Sequence, residues 1–465
     1  WIWPRHTGDF SMFRVYASKD NRPAAYSPQN VPYRPKKHFS ISTKGVKEGD
    51  FTMIYGFPGN TQEYILSDAV AYIAERSDPA KIAIRTGRLD IITKAQESDP
   101  ALRIHYAAKH ASIANAWKKW QGEALGIDRR GTVAAKFDYE TQFGLWSVGR
   151  PEYAGVVMGL RVEYDRIMDA YFAYEITRET LSTLPAAYTP EERAEECFAR
   201  RKFAEQALWR HAFREYGRCP KVYRTPSYAE GMARYKSPEA YADALFEAVW
   251  EGSDSVAMRP AVRLREETKR MLDHISWMLG TKSLRNLNSK ILNELYTTYI
   301  KGLREWDRER AFYPDANLTL RVAYGSVAGY EYADGEYHKP QTTLDGIIAK
   351  DNPEIYDYDI PQSLRDLYAS KNYGRWGTVI DGRRTVPVCF LATNHTTGGN
   401  SGSPVLNAGG ELIGINFDRT WRSTMSDIAF DPAICRNIAV DIRYVLFVVD
   451  RIGGAGYLLK EMTLK

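Results

Sequence analysis

The sequence has 465 residues, of which 44% are hydrophobic, 13% aromatic and 26% charged. That balance belongs to a globular protein and excludes disordered, collagen-like and coiled-coil chains; the length suits two or three domains. The net charge of +5 comes from 63 basic and 58 acidic residues, with no concentrated basic stripe to mark a nucleic-acid partner, and no apolar run reaches the roughly 18 residues of a membrane span.

Up to about residue 67 the chain reads as strands and turns. Residues 10–16 are rich in aromatic and β-branched types, and residues 51–55 run into Gly56-Phe57-Pro58-Gly59-Asn60, a turn signal. From about 68 to 313 the apolar spacing becomes helical, with helices predicted over 68–73, 101–120, 153–180, 191–214 and 260–310. Their mixed charges read as solvated helix surface, and no 20–50-residue repeat points to a solenoid. Strands return at 318–324, 386–391, 412–417 and 438–449; the apolar run 444–449 is of the length of a buried strand. Strands, a helical block and strands again predict a β domain with a large helical insertion. Four cysteines, Cys197, Cys219, Cys389 and Cys435, form no CxxC pair, so no structural zinc is expected. Cys197 and Cys219 stay open as a pair that bridges only in an oxidising compartment.

The chemistry concentrates in Thr393-Asn394-His395-Thr396-Thr397-Gly398-Gly399-Asn400-Ser401-Gly402-Ser403-Pro404-Val405. A serine between glycines in a tight turn leaves backbone N–H groups pointing at one spot. Ser401 reads as a nucleophile, and the N–H groups of Gly399 and Ser401 as an oxyanion hole for acyl transfer. The following Leu406-Asn407-Ala408-Gly409-Gly410-Glu411-Leu412 hairpin supplies the strand–turn–strand context that such a loop needs. A triad also needs a histidine and a carboxylate. Asp9 precedes the strand predicted over 10–16 and is the candidate acid, though an aspartate there also serves as a turn or cap residue.

Trp3-Pro4-Arg5-His6-Thr7-Gly8-Asp9-Phe10-Ser11, taken with residues 393–404, resembles the bacterial dipeptidyl-peptidase 7/11 family of serine exopeptidases. The resemblance extends to Ile113-Ala114-Asn115-Ala116-Trp117-Lys118-Lys119-Trp120 and to Asn437-Ile438-Ala439-Val440-Asp441-Ile442-Arg443-Tyr444-Val445. It implies a mixed β and α fold, a chymotrypsin-type double β-barrel with an inserted α-helical cap domain. Residues 1–67 would be part of the barrel domain, 68–312 the cap, and 313–465 the second part of the barrel domain. It implies release of dipeptides from a free N-terminus, with Asp9 as triad acid, Ser401 as nucleophile and Gly399 as second oxyanion donor. Asn115 and Asp418 fall on positions that bind the substrate's α-amino group, and Trp1 on an aromatic that lines the same pocket. Arg419, eighteen residues after Ser401, falls on the selector of the residue before the cleaved bond (P1). Members with Gly there accept apolar side chains, and members with Arg prefer Asp or Glu through a two-pronged hydrogen bond. Taken alone, Asn115 is a surface helix residue, Asp418 a strand end and Arg419 an exposed hairpin arginine.

The family's catalytic histidine lies upstream of Trp1, and none of His6, His38, His105, His110, His211, His274, His338 or His395 matches it. This polypeptide alone is therefore expected to be nearly inactive and poorly stable, unless an N-terminal portion stays bound as a cleaved fragment. The resemblance further implies oligopeptide substrates, a homodimer, export to the bacterial periplasm or cell surface, and neither cofactor nor metal. Two alternatives stay open: the same chemistry with apolar P1 preference, and a non-catalytic peptide-binding homologue.

Overall fold

Alternation in Phe51–Gly56 buries Thr52, Ile54 and Gly56 and leaves Phe51 and Tyr55 outward, the period-2 pattern of a strand with one covered face. This strand, β1, is one of seven in an antiparallel sheet. The others are β2 (Arg321–Ser326), β3 (Gln341–Thr343), β4 (Pro387–Ala392), β5 (Ser403–Leu406), β6 (Leu412–Arg419) and β7 (Asn437–Asp441). Their order across the sheet is β2-β1-β5-β6-β7-β4-β3. Register pairs Phe51 with Ser326, Ile54 with Val405, Ser403 with Asn416, Gly414 with Asp441 and Cys389 with Val440. Beyond β2, Val327 bridges Ala392 at the end of β4, so the sheet curls around a cluster of Ile54, Val327, Phe390, Val405, Ile413 and Ala439. The computed structural model describes residues 2–252, 255–280 and 287–465.

The chain forms two compact units, one of residues 1–63 with 314–465 and one of residues 64–313. The fold is mixed, with the seven-stranded sheet in the first unit and long helices in the second. The helical unit contains α1 (Asp78–Ser98), α2 (Pro100–Arg129), α3 (Val156–Glu179), α4 (Lys202–Tyr216) and α5 (Pro238–Glu251). Asp99 separates α1 from α2: its side chain accepts from the Ala101 N–H at 2.7 Å, and Pro100 takes the first helical position, where its missing N–H costs nothing. Leu89, Ile92, Leu102, Tyr106, Ile113 and Leu208 make one of its cores. Among the described residues no helix is long and apolar enough to cross a membrane.

Several sequence expectations need correction. Residues 10–15 carry no strand; pairing is limited to Tyr16–Ala17 with Val31–Pro32. Phe13 is 88% exposed, so strand-forming side chains lie there without a partner strand. Asp9 accordingly precedes an unpaired segment. The run 438–449 is a strand only to Asp441, and helix Ile442–Phe447 follows. Asp441 caps that helix by accepting from the Arg443 N–H at 2.9 Å, so the predicted buried strand over 444–449 is absent. The helix predicted over 191–214 breaks between Pro190–Ala194 and α4, and that over 260–310 is Ser255–Met278 and Lys290–Trp306. The helix over 68–73 is Ser67–Ala71 running into a wider π turn, Tyr72–Ser77. All four cysteines are free thiols, so the bridge left open for Cys197 and Cys219 is not made.

The helical charges are not all a solvated face. Lys81 Nζ lies 3.0 Å from the fully buried Asp78 and 3.3 Å from Glu175. Trp120, in the 113–120 motif, carries both Lys81 and Arg85 over its ring. Burial pushes the Asp78 carboxyl well above the usual range, against the pull of the Lys81 charge.

Candidate active site

The loop from Gly398 to Gly402 is built by backbone that only glycine accommodates easily. Gly399 has φ +107° and Gly402 +83°, and a side chain on Gly399 would collide with the Phe57 carbonyl. Gly59 N–H donates to the Gly398 carbonyl at 2.6 Å, which ties the turn after β1 to this loop. Buried Asn400 closes it from inside: its Oδ1 accepts from Thr397 N–H at 3.1 Å, and its N–H donates to the Thr397 carbonyl at 3.0 Å. Two more buried asparagines back it. Asn416 Nδ2 donates to the Asn400 carbonyl at 3.1 Å, and Asn437 Nδ2 donates to Asn416 Oδ1 at 2.9 Å. Ser401 is thereby held exposed at the tip. Among the described residues, neither Gly399 nor Ser401 gives its N–H to a backbone carbonyl, the state an oxyanion hole requires.

The asparagine ladder yields a stability prediction. Asn416→Ala strands the buried Asn437 amide and removes one of two donors from the Asn400 carbonyl, which keeps the Ser403 N–H at 3.1 Å, so unfolding free energy should fall by about 1–3 kcal/mol. A urea midpoint within error of the parent would mean that the ladder carries no weight.

Strand β6 carries the next two residues of interest. Its register against β7 shifts between Asn416 and Asp418, so Phe417 is the extra residue of a bulge. A bulge residue leaves the ladder and redirects the side chains after it. The Phe417 carbonyl accepts from Ser401 Oγ at 3.3 Å. Asp418 is the next-to-last residue of this strand, close to the strand end read from the sequence. Its Oδ1 accepts from the Arg419 N–H at 2.8 Å and its Oδ2 lies 3.4 Å from Arg5 Nη1. The Arg5 guanidinium also covers the Phe417 ring, 5.4 Å from its centroid.

Arg419 is 6% exposed, not an exposed hairpin arginine. Its Nη1 and Nη2 donate to Asp427 Oδ1 and Oδ2 at 2.5 and 2.9 Å. Nη1 also reaches Ser426 Oγ at 2.9 Å and the Thr396 carbonyl at 3.4 Å. The two-pronged pairing expected for a ligand carboxylate is made here by the protein's own Asp427.

Asp9 follows a segment pinned to the same unit. Trp3 Nε1 donates to the Lys339 carbonyl at 3.0 Å, Thr342 Oγ1 to the Arg5 carbonyl at 2.6 Å, and the Cys389 thiol to the Thr7 carbonyl at 3.3 Å. Gly8 lies flat on the Tyr444 ring, where a side chain would collide. Asp9 itself is exposed. His6 packs beneath Gly346, and its Nδ1 is enclosed with no hydrogen-bond partner among the described residues. Burial, helped by the Lys350 charge, lowers its pKa to about 4.

Above pH 6.5 His6 is neutral folded and unfolded; between 6.5 and about 4 only the unfolded chain takes the proton. Stability should fall as pH drops through that window, by roughly 1–2 kcal/mol once solvent around a half-buried ring is allowed for. His6→Gln should narrow the gap between Tm at pH 8 and at pH 5; an unchanged gap would clear His6 of acid lability.

The Peptidase S46 family profile matches residues 1–196 and 191–464, nearly the whole chain. The chain belongs to the peptidase S46 family. Among relatives, the Asp/Glu-specific dipeptidyl-peptidases of Capnocytophaga gingivalis and Flavobacterium psychrophilum are 40% and 41% identical, each match covering 100% of this chain and 70% of the relative. Dipeptidyl-peptidase 7 of Phocaeicola vulgatus is 33% identical over 100% of this chain and 69% of the relative. The crystal structure of Porphyromonas endodontalis DPP11 in complex with the dipeptide Arg-Glu superposes with TM-score 0.84 at 32% identity, covering 100% of this chain and 72% of that one. The same enzyme in complex with substrate gives 0.83, at 32% identity over 100% and 71%.

In this S46 peptidase, Gly399, Ser401, Asp418 and Arg419 share the sheet unit with Asp9. Asn115 lies on α2 of the helical unit, exposed, and Trp1 lies outside the described residues. His395 is engaged elsewhere: its Nε2 donates to the Ser426 carbonyl at 3.1 Å, its Nδ1 lies 3.2 Å from Glu63 Oε1, and its ring stacks on Phe430. It supports the Ser426–Asp427 arm and is not turned to Ser401 as a base.

Among the described residues one trio has metal-ligand chemistry, His105, Glu195 and Cys197 in the helical unit. Arg201 Nη1 sits 2.6 Å from His105 Nε2, so that nitrogen accepts and the proton is on Nδ1, the nitrogen facing Glu195. The guanidinium also pairs with Glu195 at 3.3 Å. The donor set does not fit a cation. Sequence reasoning missed Arg5, Ser426, Asp427 and the asparagine ladder. Only the opposite charge of Asp427, eight residues after Arg419, offered a signal.

Proposed function

We propose that this protein is a serine exopeptidase that releases N-terminal dipeptides with Asp or Glu at P1. The observation that carries the reading is Ser401 exposed beside two uncommitted N–H groups, on a loop hydrogen-bonded to the guanidinium of Arg419. Ser401 attacks the scissile carbonyl; the N–H groups of Gly399 and Ser401 hold the oxyanion. Asp9 orients a histidine lying outside residues 1–465, which takes the Ser401 proton and returns it to the leaving amine. Asn115 and Asp418 hold the substrate's α-amino group, in a pocket that Trp1 lines, which fixes cleavage two residues from the N-terminus. Arg419 attracts the P1 carboxylate. The architecture we propose is a double β-barrel of chymotrypsin type capped by the helical unit, in a homodimer exported to the periplasm or cell surface. Relatives named Asp/Glu-specific dipeptidyl-peptidases, at 40–41% identity, support the acidic preference.

The test is fluorophore release by the full-length enzyme from dipeptide reporters ending in Asp, Glu, Leu and Arg, with free and acetylated N-termini. Cleavage after Asp and Glu of free reporters only is expected. Faster cleavage after Leu would move the protein to the apolar preference, and no cleavage at all would leave a binding protein.

A further inference from the structure

We propose that Asp427 is a specificity-determining positioning residue: it fixes the plane of the Arg419 guanidinium and, by opposing its charge, sets how strongly the site prefers acidic P1 residues. This rests on the reading of Arg419 as P1 selector given above.

The geometry is that of a built clamp. Asp427 is 8% exposed and engages both terminal nitrogens of Arg419. Ser426 Oγ and the Thr396 carbonyl add two neutral acceptors on Nη1. The Ser426 carbonyl is held in turn by His395, and Thr396 belongs to the nucleophile loop. A guanidinium with four acceptor atoms around it cannot swing towards a substrate. The P1 side chain must come to Arg419, so the clamp fixes where an acceptable carboxylate can lie.

The clamp also fixes the charge that a substrate meets. Arg419 and Asp427 together are neutral, so an incoming carboxylate feels attraction to one and repulsion from the other at similar distances in a poorly solvated site. A neutral P1 side chain feels neither. Removing only the Asp427 charge should therefore improve acidic substrates selectively. Asn keeps the shape, and its Oδ1 retains one of the two guanidinium bonds.

The experiment compares the full-length enzyme with Asp427→Asn on free reporters with Asp or Leu at P1, measuring KM and kcat separately. The expected result is a rise of about tenfold in the Asp-over-Leu ratio of kcat/KM, equivalent to about 1.4 kcal/mol, carried by a lower KM for Asp with kcat little changed. An equal loss on both reporters marks Asp427 as merely structural and overturns the proposal, as does an unchanged or smaller ratio. If Asp427→Asn does not fold, Asp427→Ser, which also keeps one acceptor without the charge, carries the same expectation and the same overturning results. Failure of the parent to prefer Asp over Leu overturns the proposed specificity itself, and is told apart because it appears before any substitution.

Discussion

Ser401→Ala in the full-length enzyme is expected to lower kcat by roughly 10⁴–10⁶-fold while leaving stability almost unchanged. The side chain is exposed, and its one hydrogen bond is a 3.3 Å contact to the Phe417 carbonyl. That bond is long, and it is the one contact the substitution removes, so the cost in stability should stay within about 1 kcal/mol. The glycines that shape the loop, the Asn400 closure and the Asn416 and Asn437 supports are all untouched. What disappears is the nucleophile, while the two N–H donors remain to bind and polarise a carbonyl, which accounts for a residual rate above that in water. Stopped assays with an acidic-P1 reporter, alongside a thermal melt, check both halves. A variant with activity within tenfold of the parent would place the nucleophile elsewhere. A variant that melts much lower would mean that the loop depends on the hydroxyl in a way the hydrogen bonds do not show.

The nucleophile loop was legible because its information is local: Gly399 and Gly402 announce positive φ, and Ser401 lies between them. The order of strands and helices was legible too, because apolar spacing changes period near residues 68 and 313. Composition misled where tertiary context decides. Residues 10–15 have the side chains of a strand, but a strand needs a partner edge, and the hydrogen bonds that pin this end of the chain fall before them, at Trp3, Arg5 and Thr7. Residues 444–449 are as apolar as a buried strand, and a run that short does not distinguish strand from helix. Asp441 decides it by capping Ile442–Phe447. The setting of Arg419 was barely legible, an opposite charge eight residues on being its one signal. Its burial depends on Trp421–Asp427 forming a tight 3-10 segment that returns Asp427 to the guanidinium, and nothing in the spacing of the sequence encodes that return. The same holds for Arg5 and Asp418, more than 400 residues apart and joined at 3.4 Å.

Arg419→Gly should cost far more than selectivity. As a pure selector, Arg419 could be exchanged for glycine with a change of substrate and little else. The pairing with Asp427 makes a different demand: the glycine variant leaves a carboxylate that is 8% exposed without its counter-charge, and breaking a buried pair by removing one partner destabilises by about 3–5 kcal/mol. Thr396 and Ser426 lose their donor as well, which loosens the loop that carries Ser401. Cleavage after Asp and Glu should therefore collapse by at least about 100-fold, combining a lost attraction of roughly 1.5–3 kcal/mol for a charged hydrogen bond with a less ordered nucleophile. The double variant Arg419→Gly with Asp427→Asn separates the two contributions. It removes both charges together, so most of the stability should return while acidic-P1 cleavage stays low. Urea midpoints for the parent, the single and the double variant give the first quantity, and reporter kinetics the second. A single variant as stable as the parent would show that Asp427 needs no partner, and that Arg419 stands over the substrate site as a free charge.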